Sequence, residues 1–261
     1  MKLDSINFKL EEIIDAFLKS TTIFVPTAGT DVEKFHSAIL RGYFAGGCFT
    51  SMLLREEPSD YDFYFRNEED ANIFKEFALK HLKADIAFES PNAITMKNKM
   101  QFMTKHYGPP NYMVNSFDFQ HLKVYKVIGV PIIVATKDFY QILVEKHLIY
   151  SGSEYPLASL MRIRKYIKRG WFISANTMLD IVFDIMSMFI LKNADSDNIH
   201  VKHDKHEIRK NRRHMKIDVD ILIEQMMGID PLTIMAELSA HTGMRFSLNE
   251  IIDIISGHKK S

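Results

Sequence analysis

Cysteine is almost missing from this chain: Cys48 is the single one among 261 residues. No disulfide can close within it, so a framework of bridges is not what holds the fold, and a reducing cytoplasm is the expected compartment. Net charge is missing too, because 33 basic and 33 acidic residues cancel. Without a global field, any pull toward nucleic acid or a membrane surface has to come from a local patch. Long apolar runs are also absent. The greasiest stretch, Met178 to Leu191, contains Asp180 and Asp184 and is too short to span a bilayer. The opening MKLDSINFKLEEIIDAF has Lys9, Glu11, Glu12 and Asp15 among its apolar residues, so no secretory signal is expected there. A soluble protein with no membrane partner follows as the expectation. What the chain does have is 46% hydrophobic residues, enough for a real core in one large domain or two small ones. Nothing in it fixes an oligomeric state.

Periodicity predicts the elements. Phe8, Ile13, Ile14 and Phe17 recur at helical spacing, which gives a helix over residues 8–19. A second helix starts at a Thr30-Asp31 cap and ends near Arg41-Gly42. Tyr43–Ala45 reads as a strand, Cys48–Leu54 as a short helix, Tyr61–Phe65 as a strand and Glu68–Lys83 as an amphipathic helix. Strands are expected at 85–89, 93–97, 100–106, 119–127 and 130–135, with a short helix opened by Pro109 and Pro110 and running to Asn115. From Thr136 on the pattern is helical: 138–150, 156–169, 174–191, 218–227, 231–241 and 248–256. The expected fold class is therefore α+β, a mixed sheet with flanking helices followed by a helical domain. The expected domains are residues 1–137 and 138–261.

The stretch that carries chemistry is YFAGGCFTSMLLREEPSDYDFYF, residues 43–65. A strand enters Gly46-Gly47, a short helix leaves, and a second strand carries Asp60 and Asp62 at i and i+2. Alternation along a strand puts Asp60 and Asp62 on one face. Two such carboxylates suit a divalent cation, and Mg²⁺ is commonly held by one or two carboxylates together with substrate phosphates. A glycine pair lets the backbone approach a polyphosphate, and the amides that open the next helix can face it. The plainer reading is a turn followed by an ordinary hairpin with exposed acids. Against it, unpaired carboxylates in so aromatic a strand would be costly to bury.

This pattern resembles the nucleotidyltransferase fold of the DNA polymerase β superfamily: an apolar residue, Gly-Gly or Gly-Ser, a spacer, then Asp-apolar-Asp. The sequence as a whole looks like uncharacterised bacterial or phage members. The resemblance implies an Mg²⁺- or Mn²⁺-dependent transfer of a nucleotidyl group from an NTP to an acceptor hydroxyl. Gly46, Gly47 and Cys48 would then bind the nucleotide, and Asp60 and Asp62 would hold the metal. Many members have Ser where this chain has Cys48, a weaker donor; Thr50 or Ser51 could supply a hydroxyl instead. The family often has a third carboxylate on a later strand, both ligand and base. Asp118 in NSFDFQHLKVY is the candidate, with Asp85 in KADIAFE as its rival. Asp118 also reads as a residue that caps a turn.

The helical half carries YPLASLMRIRKYIKRGWF, residues 155–172, where Arg162, Lys165 and Arg169 fall at helical spacing beside Arg164 and Lys168. It loosely resembles the segment after the catalytic domain in CCA-adding enzymes and poly(A) polymerases. That likeness implies that Arg162 and Lys165 meet phosphates of an NTP such as ATP, or of RNA such as a tRNA end. The glutamate-aspartate pair those enzymes use for the incoming base is missing, and a solvated basic face is the plainer reading. A second basic tract holds His200, His203 and His206 and the cluster Arg209, Lys210, Arg212, Arg213, which reads as a surface tract able to meet RNA phosphates. Trp171 and the Met-rich run from Met178 to Met188 read as core. The alternatives to RNA are nucleotidylation of a protein or small molecule, and an inactive member of the fold that only binds a partner.

Overall fold

The computed structural model describes residues 3–24 and 29–194. The His200–His206 triplet, the Arg209–Arg213 cluster and the helices expected at 218–227, 231–241 and 248–256 lie outside that range. Contacts divide the chain into two compact units, Met1–Ser151 and Gly152–Ser261. The division falls later than the change of pattern near 137, and the helix over residues 139–145 is counted with the first unit.

The first unit is a mixed α+β domain. It runs α1 (Leu3–Phe24), α2 (Gly29–Leu40), β1 (Tyr43–Ala45), α3 (Gly47–Leu53), β2 (Tyr61–Tyr64) and α4 (Glu68–His81). Three strands follow, β3 (Ile86–Glu89), β4 (Ala93–Met96) and β5 (Met100–Met103), then α5 (Pro110–Asn115), β6 (Val124–Val127), β7 (Ile133–Ala135) and α6 (Phe139–Glu145). The strands make one sheet in the order β3-β4-β5-β2-β1-β6-β7. Only β2 and β5 pair in parallel; every other neighbouring pair is antiparallel.

Local chemistry sets the helix ends. The Asn67 side chain accepts the Asp70 amide at 2.8 Å and so caps α4, whose first turn is acidic and last turn basic. Pro110 opens α5, where a missing N–H costs nothing.

The two faces of the sheet differ. One is closed by helices and carries a large aromatic cluster among its aliphatic residues. Phe102 stacks on Phe74 of α4 at 4.1 Å and tilts against Phe17 of α1 at 5.2 Å, while Phe35 of α2 stacks on Phe77 at 4.2 Å. Each such ring, fully buried, contributes about 1.5–3 kcal/mol. Lys126 of β6 is buried in the same unit, its ammonium bonded to Glu11 of α1 and to Val127 O at 3.2 Å. The other face carries a smaller cluster of Tyr43, Ala45 and Tyr64 under Met113 and Val114 of α5, with Phe117, Tyr125 and Met103 at its margin. Farther along that face the residues become polar and half-buried.

Several expectations are corrected. The strand foreseen at 119–127 is broken. Phe119 makes an isolated bridge to Tyr150, residues 120–122 form a 3₁₀ turn, and β6 begins only at Val124. The cause is the His121 carbonyl, which accepts the Thr50 hydroxyl of α3 at 2.7 Å rather than a neighbouring strand. The helix foreseen at 138–150 stops at Glu145, because Lys146 turns left-handed with φ 48. The first helix begins earlier and ends later than 8–19.

In the second unit, α7 (Pro156–Lys168) buries Ser159, Ile163 and Tyr166 at helical spacing and packs against α8 (Ala175–Ala194). Gly170, with φ +79, ends α7 by donating to Ile167 O at 2.9 Å. Trp171 is buried as expected, but the Met-rich run is not core throughout: Met178, Leu179, Val182 and Phe183 are all exposed. No helix among the described residues is long and apolar enough to cross a membrane.

Candidate functional site

The turn between β1 and α3 depends on one residue. Gly46 has φ +85 and ψ −142, a conformation that residues with a Cβ adopt only under strain. Its amide donates to Val124 O at 3.0 Å and its carbonyl accepts the Phe49 amide at 3.3 Å, so the turn is tied to β6 and to α3. A Cβ built on Gly46 would stand 3.5 Å from Asp62 Oδ2 and 3.7 Å from Phe117 Cε2. The bare Cα is therefore walled by a carboxylate on one side and an aromatic ring on the other. Over Gly47 the nearest group is Leu122 Cδ2 at 3.9 Å.

Asp62 reaches this place because of the sheet. The β1–β2 register pairs Phe44 with Phe63, so the next antiparallel pair is Ala45 with Asp62, on the face away from the phenylalanines. Asp60 stands just before the strand, held by the Ser59 hydroxyl, which donates to its Oδ1 at 3.1 Å. Both aspartates are half-buried and so still open to solvent. Cys48 reports their joint field. Its thiol is pushed well up, first by burial, then by the negative charges of Asp62 and Asp60. Both carboxylates thus bear on the first turn of α3.

The hydroxyls weighed as replacements for a serine are differently placed. Thr50 donates to His121 O, and both Thr50 and Ser51 are buried. Asp118 is also buried, in the bend before Phe119. Its carbonyl accepts the Ser151 amide at 2.8 Å. Its negative charge bears on Lys123, whose ammonium donates to Asn115 O at 3.0 Å and whose proton affinity is lowered by burial more than Asp118 restores it. Phe117, its chain neighbour, is the ring over Gly46. Asp85 is exposed in a 3₁₀ turn before β3, an edge strand separated from β2 by β4 and β5, or roughly 14 Å at the usual strand spacing. Arg162 and Lys165 lie on α7, within the second unit, where Lys165 is exposed and Arg162 half-buried.

Among the described residues no group of three or more His, Cys, Asp or Glu side chains is placed to hold a metal ion. Asp62 Oδ2 stands at the turn and Asp60 acts on the adjacent Cys48 through its charge; carboxylate oxygens are the type a hard cation takes.

Three residues at this face had no place in the sequence reading. Gln101 of β5 is the register partner of Asp62, and Thr95 of β4 is the register partner of Gln101. Gln101 Nε2 donates to Thr95 Oγ1 at 3.1 Å. The third is Phe117. The alternation Met100-Gln101-Phe102-Met103 does place Gln101 opposite the buried residues; no local signal tells which strand stands beside it.

These features define an α+β protein whose open sheet face sets a glycine turn against a pair of carboxylates. The family described as Gabija anti-defense 2 family protein matches residues 4–143, more than half of the chain. The chain belongs to that family. A protein described as Gabija anti-defense 2, from Bacillus phage SPbetaL7, is 26% identical over 155 residues, or 56% of this chain and 38% of that protein. The match therefore spans well under half the length of this curated relative. Among solved structures, the Thermotoga maritima CCA-adding enzyme complexed with tRNA_CCA is 13% identical with a TM-score of 0.42, over 67% of this chain and 46% of that one. A tRNA-processing enzyme in an apo form is also 13% identical at a TM-score of 0.42, over 95% of this chain and 78% of that one. Likeness at that level says nothing about activity.

Proposed function

We propose that this protein is a nucleotidyltransferase that moves a nucleotidyl group from an NTP to an acceptor hydroxyl, and that this transfer is how it counters the defence in its family's name. The observation that carries the reading is the Asp62 carboxylate 3.5 Å from the missing side chain of Gly46. A positive-φ glycine and a cation-binding acid at one spot give a polyphosphate both a bare backbone and a charge partner.

Asp60 and Asp62 would hold Mg²⁺ or Mn²⁺, and the pair fits a hard cation because it is carboxylate, half-buried and near the turn. When bound, the metal would neutralise phosphate charge and make the acceptor hydroxyl more acidic. The chain's own work is positioning. Gly46 and Gly47 admit the triphosphate at the turn into α3. Cys48 keeps its thiol neutral, so it adds no charge against the phosphates. Asp118 is the candidate base. The acceptor on the resemblance alone is RNA such as a tRNA end, met by Arg162 and Lys165. The family's description favours a protein of the opposing defence instead. Counter-defence by binding alone is the second reading, and the same description favours it.

The test is incubation with each α-labelled NTP and Mg²⁺, with total RNA in one arm and lysate protein in the other. Label should pass to one acceptor class, and Asp60→Asn and Asp62→Asn should each abolish it with unchanged melting curves. Equal labelling by both variants would sink the mechanism. No labelling in any arm, with binding to a defence protein intact, would establish the second reading.

A further inference from the structure

We infer that Gln101 supplies the third protein oxygen of the cation site, a neutral amide where a third carboxylate could stand. The inference rests on the reading of Asp60 and Asp62 as cation ligands and goes beyond it, because it assigns the site's composition and charge.

The placement comes from the only parallel pairing in the sheet. Asp62 on β2 and Gln101 on β5 are register partners. Residues level with one another on adjacent strands point to the same side, with side chains roughly one strand spacing apart, about 5 Å. Asp62 faces away from the phenylalanine core, so Gln101 does too. Phe102, the next residue, confirms it by lying fully buried against Phe74 on the helical side. Gln101, Asp62 and Thr95 are all half-buried, a solvent-reached row on a sheet whose other positions are mostly closed.

The orientation of the amide follows from its partner. Strand β5 lies between β4 and β2. Gln101 Nε2 donates to Thr95 Oγ1 on the β4 side at 3.1 Å. With Nε2 taken by Thr95, Oε1 is the amide atom left to reach a cation held by Asp62, the residue level with Gln101 on β2. Thr95 thus holds one arm of the Gln101 amide and leaves the other for the site. An amide oxygen is a good ligand for a hard cation and brings no charge. The protein would then contribute two negative charges to the cation rather than three, which leaves the site one unit more positive toward a triphosphate.

The experiment is Mn²⁺ titration of the full chain without nucleotide, followed by electron paramagnetic resonance and by water-proton relaxation, for wild type, Gln101→Ala, Gln101→Glu and Asp62→Asn. Wild type should bind Mn²⁺ and Asp62→Asn should not. Gln101→Ala should weaken binding about tenfold, the scale on which groups supporting a metal site act. It should also raise the relaxivity of bound Mn²⁺, because one more water takes the vacated position. Gln101→Glu should tighten binding. Thr95→Val, which frees the amide to rotate, should give a smaller loss than Gln101→Ala. Unchanged affinity and relaxivity in Gln101→Ala, beside loss in Asp62→Asn, would overturn the inference and leave the aspartate reading standing. No Mn²⁺ binding by the wild type would overturn both.

Discussion

Replacing Gly46 by alanine separates a strained turn from a working one. The backbone there, at φ +85 and ψ −142, is close to glycine-only territory, and holding a Cβ in it costs about 1–3 kcal/mol. Steric collision adds nothing, because the new methyl would meet Asp62 Oδ2 at 3.5 Å and Phe117 Cε2 at 3.7 Å, ordinary contact distances. For a chain of this size each kcal/mol lowers the melting temperature by about 2–4 °C. The expected fall is therefore roughly 2–12 °C, measured by thermal unfolding. Function should suffer far more than stability. The methyl would occupy the approach to the Asp62 carboxylate that a phosphate oxygen needs, and NTP affinity with Mn²⁺ present should fall more than tenfold. Gly170→Ala is the control. It too has positive φ, at +79, and a Cβ there meets nothing within 4 Å, so it carries backbone strain alone. If Gly46→Ala loses melting temperature like Gly170→Ala and binds nucleotide as tightly, the glycine is a turn and nothing more, and the proposed site is wrong.

Other outcomes follow from particular contacts. Glu11→Gln should cost about 3 kcal/mol in urea unfolding, because the fully buried Lys126 ammonium loses its carboxylate partner, and Lys126→Met in the same chain should restore most of it. A single variant no less stable than wild type would show that the ammonium has other support. Asp118→Asn should cut turnover by roughly 10²–10⁴ with NTP binding nearly unchanged, the range for a positioned base. A drop in melting temperature with full turnover would show instead that its charge serves Lys123.

The parts of the fold that were legible in the sequence are the local ones. Tyr43–Ala45, the Gly46-Gly47 turn, the short helix and the strand that starts at Tyr61 and carries Asp62 are contiguous, and period and turn chemistry fix each of them. Pro110 as a helix opener is local too. What the sequence hid is long-range. Gln101 stands beside Asp62 only because β5 inserts parallel to β2 after a hairpin of two other strands. Lys126 sits at a position where strand alternation calls for an apolar residue, and its partner lies 115 residues earlier. Gly42 reads as a helix terminator, yet a Cβ there would press 2.3 Å from Phe63 Cζ, so the tighter constraint is a ring arriving from β2. Residues 119–123 look like strand because nothing in them announces that the Thr50 hydroxyl will claim a carbonyl.

Cys48 offers a test of the site's electrostatics that needs no substrate. Its thiol is raised well above the ordinary 9.0, chiefly by burial and then by Asp62 and Asp60. A group whose proton is held more tightly in the folded chain gives stability that is complete below the unfolded pKa. As pH climbs past about 9, the unfolded chain gains the thiolate that the folded one refuses, and stability declines until the folded pKa is reached. The steepest slope for one group is about 1.4 kcal/mol per pH unit. Lys123 acts in the opposite sense, since its folded pKa is lowered and its contribution grows with rising pH. The raw stability curve mixes the two, so the quantity to follow is wild type minus Cys48→Ala. Urea unfolding at pH 8, 9 and 10 should show that difference constant at first and then shrinking. Parallel curves up to pH 10 would mean that the thiol titrates normally. The first turn of α3 would then be neither dry nor under the influence of the two aspartates, and the convergence of Asp60 and Asp62 on it would have to be abandoned.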